Sequence, residues 1–307
     1  MAISLLFFSS ADISIPLLKQ FLKDERFDVK AVFCQPDKPA GRKLELKAPI
    51  PKLLAQEEGI PVHQPVKLKD ADELLARYEV DYLVTFAYGQ IMPQSWLNLP
   101  RIAALNVHTS LLPKYRGASP IQSAILNGDP MSGYSLMKMV KAMDAGPVSH
   151  QVSTPLTKES TAGELHDTLA QLAAENVPDQ IIEMGGAPVF FEQDESKVSF
   201  CGKISREDGY LDFTGSAEEN YRKFKAYMPW PGVWTKYRGK RLKLHDLALS
   251  DVEIPRSQVR LVEAKVLVGC EGGSLELVTV QPEGKRPMPA KDFVLGQSEF
   301  ASAQLPS

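Results

Sequence analysis

The chain has 307 residues, of which 44% are hydrophobic and 24% charged, with a formal net charge of -3. That length points to two domains, and the composition excludes a disordered chain, a collagen-like repeat and a disulfide scaffold. No global basic field exists, so any contact with nucleic acid must come from a local patch.

The first apolar run, Ile3–Phe8, has no Lys or Arg before it and is too short for a signal h-region or a membrane span; it reads as a buried strand. Further runs at 29–33, 82–86, 102–107 and 134–140 are separated by helical patterns at 15–22, 51–58 and 71–78. Short strands alternating with helices predict an open parallel α/β sheet. A longer helix opens at Thr161, where Glu164 three residues on forms a capping box and Leu165, Leu169 and Leu172 share one face; Pro178 is expected to bend or end it. Gly185, Gly186 and Pro188 break the pattern, which sets a first domain at 1–189 and a linker at 190–204. From 205 to 307 one helix at 217–227 precedes strand-like runs at 232–237, 241–249, 259–268 and 274–280, a pattern predicting a small β-barrel or sandwich.

Three cysteines at wide spacing, Cys34, Cys201 and Cys270, support neither a disulfide framework nor a zinc site, and reduced thiols in a cytoplasmic protein are expected. The charge divides along the chain: the first 202 residues hold 19 basic and 24 acidic residues, the remainder 16 and 14. Residues 221–245 contain Arg222, Lys223, Lys225, Lys236, Arg238, Lys240, Arg241 and Lys243 with no acid, interleaved with Tyr227, Trp230, Trp234 and Tyr237. Such a run is either a solvated face or a surface that tracks phosphates.

Neither a Gly-x-Gly-x-x-Gly after the first strand nor a phosphate-binding Gly-x-x-x-x-Gly-Lys-[Ser/Thr] is present. The strongest chemistry lies at the end of the run near 107, where Asn106 and His108 fall on one face of a strand. An amide donor beside an imidazole can stabilise a developing oxyanion and move a proton; it can also simply satisfy loop backbone. Asp144 precedes Ala145-Gly146-Pro147, a good turn, and its carboxylate, if brought to His108, would fix the ring's tautomer.

Together, Asn106-x-His108-x-Ser110-Leu111-Leu112-Pro113-x-x-Arg116-Gly117 and Asp144-x-Gly146 resemble the folate-dependent formyltransferase family. Its tRNA-acting members are matched most closely, on Gln35-Pro36-Asp37-Lys38-Pro39-Ala40-Gly41-Arg42, Ala87-Tyr88-Gly89-Gln90-Ile91-Met92-Pro93, Pro120-Ile121-Gln122, Pro229-Trp230-Pro231 and Gln281-Pro282-Glu283-Gly284-Lys285. The resemblance implies a Rossmann-like, mostly parallel catalytic sheet followed by a C-terminal barrel similar to an OB-fold. It implies 10-formyltetrahydrofolate as donor, no metal, and the α-amino group of methionyl initiator tRNA as acceptor. Asn106, His108 and Asp144 are then the catalytic residues, while Ser110, Leu111, Leu112, Pro113, Tyr88 and Ile91 border the folate. Lys38, Arg42, Lys43 and Lys47 on a basic insertion, with Arg222, Lys225, Lys236, Arg238, Lys240 and Lys243 in the barrel, are the implied tRNA contacts. The expected protein is a cytoplasmic monomer without membrane contact.

The first loop reads Ser9-Ser10-Ala11-Asp12-Ile13, where the tRNA-acting members usually read Gly-Thr-Pro-x-Phe. The segment from Met139 to Gly146 resembles the sugar-nucleotide formyltransferases equally well, so a sugar-nucleotide N-formyltransferase stays open as an alternative. A folate hydrolase and a non-catalytic RNA-binding protein are more distant ones.

Overall fold

The computed structural model describes residues 2–40 and 44–307. Two compact units emerge: Met1–Pro120 with Met131–Pro155 and Leu165–Cys201, and Ile121–Pro130 with Leu156–Glu164 and Gly202–Ser307.

The first unit is built on seven strands: β1 (Ile3–Phe8), β2 (Phe27–Phe33), β3 (Val62–His63), β4 (Tyr82–Thr85), β5 (Ala103–His108), β6 (Met131–Lys138) and β7 (Val148–Pro155). Their order is β7-β6-β5-β4-β1-β2-β3, parallel from β5 through β3, with β6 and β7 antiparallel at one edge. The sheet is Rossmann-like and mostly parallel. Chain direction across the sheet reverses between β1 and β4, so the crevice for a ligand opens at the carboxyl ends of those strands and of β5.

Five consecutive buried residues in β1, Ser4 to Phe8, mean that both faces of the sheet are covered, which is why the strand reads as an unbroken apolar run. On one face the helix Ile15–Lys23 buries Leu17, Leu18 and Phe21, and the Phe21 ring meets Phe7 edge-on at 6.1 Å. On the other, Leu6, Phe8, Ala31 and Phe33 pack with Leu68, Ala71, Leu74 and Trp96. The helix expected at 71–78 is instead two 3₁₀ turns, Leu68–Asp70 and Asp72–Arg77. Their buried anchors Leu68, Ala71 and Leu74 recur every third residue, the period of a 3₁₀ helix and not of an α-helix.

Helix Ala162–Met184 runs through Pro178 instead of ending there. Proline removes one helical hydrogen bond at a cost of about 3 kcal/mol or more. Val177 and Ile181, both fully buried around it, supply tertiary burial that offsets that loss. Strand β7 carries no apolar alternation and escapes a reading from sequence.

In the second unit six antiparallel strands, Val233–Tyr237, Lys240–Ser250, Val259–Val262, Lys265–Cys270, Gly273–Pro282 and Met288–Pro289, form one sheet. The single strand expected at 259–268 is a hairpin, because Glu263 and Ala264 both take positive φ (47° and 65°), the geometry of a two-residue type I′ turn. No glycine or asparagine announces that turn. Helix Ala217–Ala226 is closed at its start by a capping box between Ser216 and Glu219, and buries Tyr221 and Phe224. Among the described residues no helix is long and apolar enough to cross a membrane.

Candidate active site

Strand β5 delivers Asn106 and His108 to its carboxyl end, two residues apart and therefore on one face. Asn106 lies opposite Thr85 of β4 and Met137 of β6. The Thr85 hydroxyl lies 2.9 Å from Asn106 Oδ1 and 3.0 Å from the Leu105 carbonyl, its single hydrogen shared between them, and with Oδ1 on Thr85 the amide's NH₂ is the end turned away. Among the described residues that NH₂ has no hydrogen-bond partner, although Asn106 is half-buried.

His108 is only 6% exposed. Its Nε2 lies 2.9 Å from the Tyr115 carbonyl. A carbonyl can only accept, so Nε2 carries the hydrogen and Nδ1 is the nitrogen turned to Asp144, 3.7 Å from Oδ1. That gap is too long for a hydrogen bond, and the two groups form an ion pair only when the ring is protonated. Asp144 is held from behind, since Oδ2 accepts from the Gly117 amide at 2.9 Å. The sequence-predicted Asn106, His108 and Asp144 thus converge.

Tyr115 and Asp144 both adopt left-handed backbone, with φ of 61° and 52°, a conformation costing on the order of 1 kcal/mol or more for a side chain of this kind. Two glycines make the close approach feasible. A Cβ on Gly117, whose φ is 127°, would stand 2.1 Å from the Cys201 carbonyl, and one on Gly146 would stand 1.8 Å from that of Lys138.

The turn from Ser110 to Pro113 is rigid by its own bonding. Ser110 Oγ donates to the Lys114 carbonyl at 2.6 Å, and Ser135 Oγ donates to the Ser110 carbonyl at 2.7 Å while accepting from the Leu112 amide at 2.9 Å. Gln151 Nε2 adds a bond to the Leu112 carbonyl at 2.8 Å. Leu111 and Pro113 are half-buried.

At the sheet's switch point the loops after β1, β2 and β4 are tied together. Ser10 Oγ and Gln35 Nε2 both donate to the Tyr88 carbonyl, at 3.1 and 2.8 Å. A Cβ on Gly89 would stand 2.4 Å from that Gln35 nitrogen. The Tyr88 ring, expected to border the folate, is 4% exposed and packs at 5.2 Å from Phe8. Burial also pushes the Tyr88 hydroxyl well above the ordinary tyrosine value. Ile91, by contrast, is 89% exposed.

The basic residues separate into two groups. Lys38 and Lys47 face each other across the hairpin Lys38–Ala40/Glu45–Lys47, both exposed, with Lys38 also donating to Gln35 Oε1. Arg42 and Lys43 lie outside the described residues. In the second unit Lys236, Lys240 and Lys243 are exposed, and cross-strand pairing sets Lys236 opposite Arg241 and Trp234 opposite Lys243. Arg241 stacks on Trp234 at 3.8 Å. Arg222, Lys225 and Arg238 are engaged elsewhere: Arg222 donates to the Leu126 carbonyl, Lys225 pairs with Glu159 at 2.8 Å with its side chain 14% exposed, and Arg238 pairs with Glu299. Helix periodicity turns Lys225 toward Glu159, which a run of charges cannot reveal. Sequence reasoning also missed Thr85 and the main chain of Tyr115, whose contributions arise from strand register and a loop carbonyl.

A family model described as formyl transferase matches residues 3–181, and one described as formyl transferase, C-terminal domain, matches residues 203–298. A methionyl-tRNA formyltransferase of Dehalococcoides mccartyi (strain CBDB1) is 37% identical over 308 residues, covering 99% of this chain and 98% of its own. That of Lactobacillus gasseri is 39% identical over 292 residues, covering 93% of each. The crystal structure of WlaRD, a sugar 3N-formyl transferase with dTDP and 5-N-formyl-THF, superposes with a TM-score of 0.67 at 17% identity, covering 93% of this chain and 100% of that one. The last likeness is one of fold.

Proposed function

The chain belongs to the formyl transferase family, and from that membership and the site's geometry we propose that it transfers the formyl group of 10-formyltetrahydrofolate to the α-amino group of methionyl initiator tRNA, supporting translation initiation. The observation that carries the chemistry is the Asn106 amide, its oxygen held by Thr85 and its NH₂ open, beside the His108–Asp144 pair. Full-length identity near 37% to tRNA-acting relatives carries the choice of acceptor.

The folate, when bound, supplies the formyl carbon on N10, and attack by the amine drives negative charge onto the formyl oxygen. Asn106 Nδ2 donates to that oxygen. Nε2 of His108 is committed to Tyr115, so proton movement runs through Nδ1, on the Asp144 side. Asp144 orients the ring and takes up the proton shed by the attacking amine, and Nδ1 of the protonated His108 gives a proton to N10 as the bond from the formyl carbon to N10 breaks, so that tetrahydrofolate leaves neutral. An α-amino group has a pKa of roughly 8, so a substantial neutral fraction exists without a strong base. Ser110, Leu111, Leu112 and Pro113, a turn made rigid by its own hydrogen bonds, border the folate together with Tyr88 and Ile91 from the loop after β4. Residues 1–189 are the catalytic part and 205–307 the tRNA-contacting part. Lys38, Lys47, Lys236, Lys240 and Lys243 supply phosphate contacts, and the protein acts as a cytoplasmic monomer.

The test is an acceptor comparison: with formyl-folate as donor, charged initiator tRNA, an amino-sugar nucleotide and water are offered separately. Formylation of the tRNA alone supports the reading. Preferential formylation of the sugar nucleotide, or hydrolysis without transfer, overturns it.

A further inference from the structure

Three consecutive residues frame both catalytic side chains: the carbonyl of Tyr115 holds His108 and the amide of Gly117 holds Asp144. Between them Arg116 points its guanidinium into the protein, where the side chain is 5% exposed. A buried guanidinium must be satisfied, since an unpaired one costs several kcal/mol. Gln193 Oε1 accepts from Arg116 Nε at 3.0 Å and from Nη2 at 2.9 Å, and Glu195 Oε1 adds a contact to Nη2 at 2.7 Å. The amide's other end is equally occupied: Gln193 Nε2 donates to the carbonyl of Asp144 at 2.8 Å and to that of Gly146 at 2.7 Å. One carboxamide therefore joins the loop that holds His108 to the loop that bears Asp144. The strand pairing of Arg116–Gly117 with Phe200–Cys201, and the Tyr115 amide donating to Ser199 Oγ at 2.9 Å, fasten the same segment on its far side.

We infer that Gln193 is a positioning residue for the formyl transfer, setting the separation of His108 and Asp144 through Arg116 on one side and the Asp144–Gly146 turn on the other. Its two ends have different chemistry, acceptor toward a cation and donor toward carbonyls, and only a carboxamide supplies both at that length. Glutamate keeps the acceptor for Arg116 and loses the donor. Methionine keeps the length and loses both. Asp144 needs such a fixture because its left-handed φ of 52° gives the turn a reason to relax once released.

The inference rests on the catalytic roles given above, and a double-mutant cycle separates the two. Gln193→Met and Gln193→Glu are expected to lower kcat by about 10- to 100-fold, in keeping with small misplacements of reacting groups. KM for folate and for tRNA should stay within about twofold, and Gln193→Glu, which keeps the Arg116 contact, should melt closer to wild type than Gln193→Met. Gln193→Met combined with Asp144→Ala should be no slower than Asp144→Ala alone, because with the carboxylate gone nothing remains to be positioned. If Gln193→Met does not fold, the same cycle with Gln193→Glu decides. Losses that multiply in the double variant, or a wild-type kcat for either Gln193 variant, overturn the inference. A wild-type rate for Asp144→Ala instead overturns the catalytic assignment, an outcome that Gln193 variants alone cannot mimic.

Discussion

The backbone amide of Gly117 donates to Oδ2 of Asp144 at 2.9 Å. Through it, the carboxylate proposed to take part in the transfer is held by a residue 27 positions earlier in the chain. The bond depends on a glycine, since a Cβ there would meet the Cys201 carbonyl at 2.1 Å and φ is 127°. Gly117→Ala must therefore shift the strand pair or the loop. We expect kcat to fall about 100-fold with a lower melting temperature. Steady-state formylation kinetics beside a thermal melt check both; an alanine variant with wild-type kcat would show that the amide does not position Asp144.

Thr85 acts on Asn106 from the neighbouring strand by fixing which end of the amide faces outward. Thr85→Val keeps the shape and removes the hydroxyl. The expected result is roughly a 10-fold loss of kcat with little change in folate affinity, a fraction of the 100- to 1000-fold typical for deleting an oxyanion donor. Single-turnover rates and folate titration distinguish this from a general loss of binding.

Asp194, next to Gln193, is held at about 2 by hydrogen bonds from Ser196 and then Lys197. A carboxyl lowered from its ordinary 3.8 stabilises the fold fully above that ordinary value and loses its contribution as pH falls toward 2. Asp194→Asn should lower the denaturation midpoint at pH 6, and the gap to wild type should narrow by pH 3. A gap that is constant across this range would contradict the pairing.

For the basic face of the second unit, charge reversal at Lys236 and Lys243 should raise KM for tRNA and flatten its dependence on salt, the slope falling by about one for each phosphate no longer neutralised. The same change at Lys225, which is paired with Glu159 and mostly buried, should act on stability instead. Salt titrations of KM for the three variants separate the two outcomes.

Much of this was readable in the sequence wherever burial imposes a pattern. Ser4 to Phe8 are buried on both faces and appear as one apolar run, and Asn106-x-His108 follows from strand alternation. What was not readable depends on partners distant in the chain. Leu68, Ala71 and Leu74 follow a 3₁₀ period where they meet Leu6, Phe8, Ala31 and Phe33 in one buried cluster. Lys225 looks like a surface charge until Glu159, 66 residues earlier, meets it. Gln193 lies in a stretch without periodicity, and its importance exists only in the distances to Arg116 and Asp144. The burial of the Tyr88 ring among Phe8 and Trp96 likewise depends on distant partners.

The most direct test of the central claim is the single-turnover rate of formyl transfer to methionyl-tRNA by Asn106→Ala, His108→Ala and Asp144→Ala, with folate binding measured on the same preparations. The account predicts losses of about 100- to 1000-fold for each variant with folate affinity near wild type. A near wild-type rate for any of the three, in a folded variant that binds folate, would contradict it.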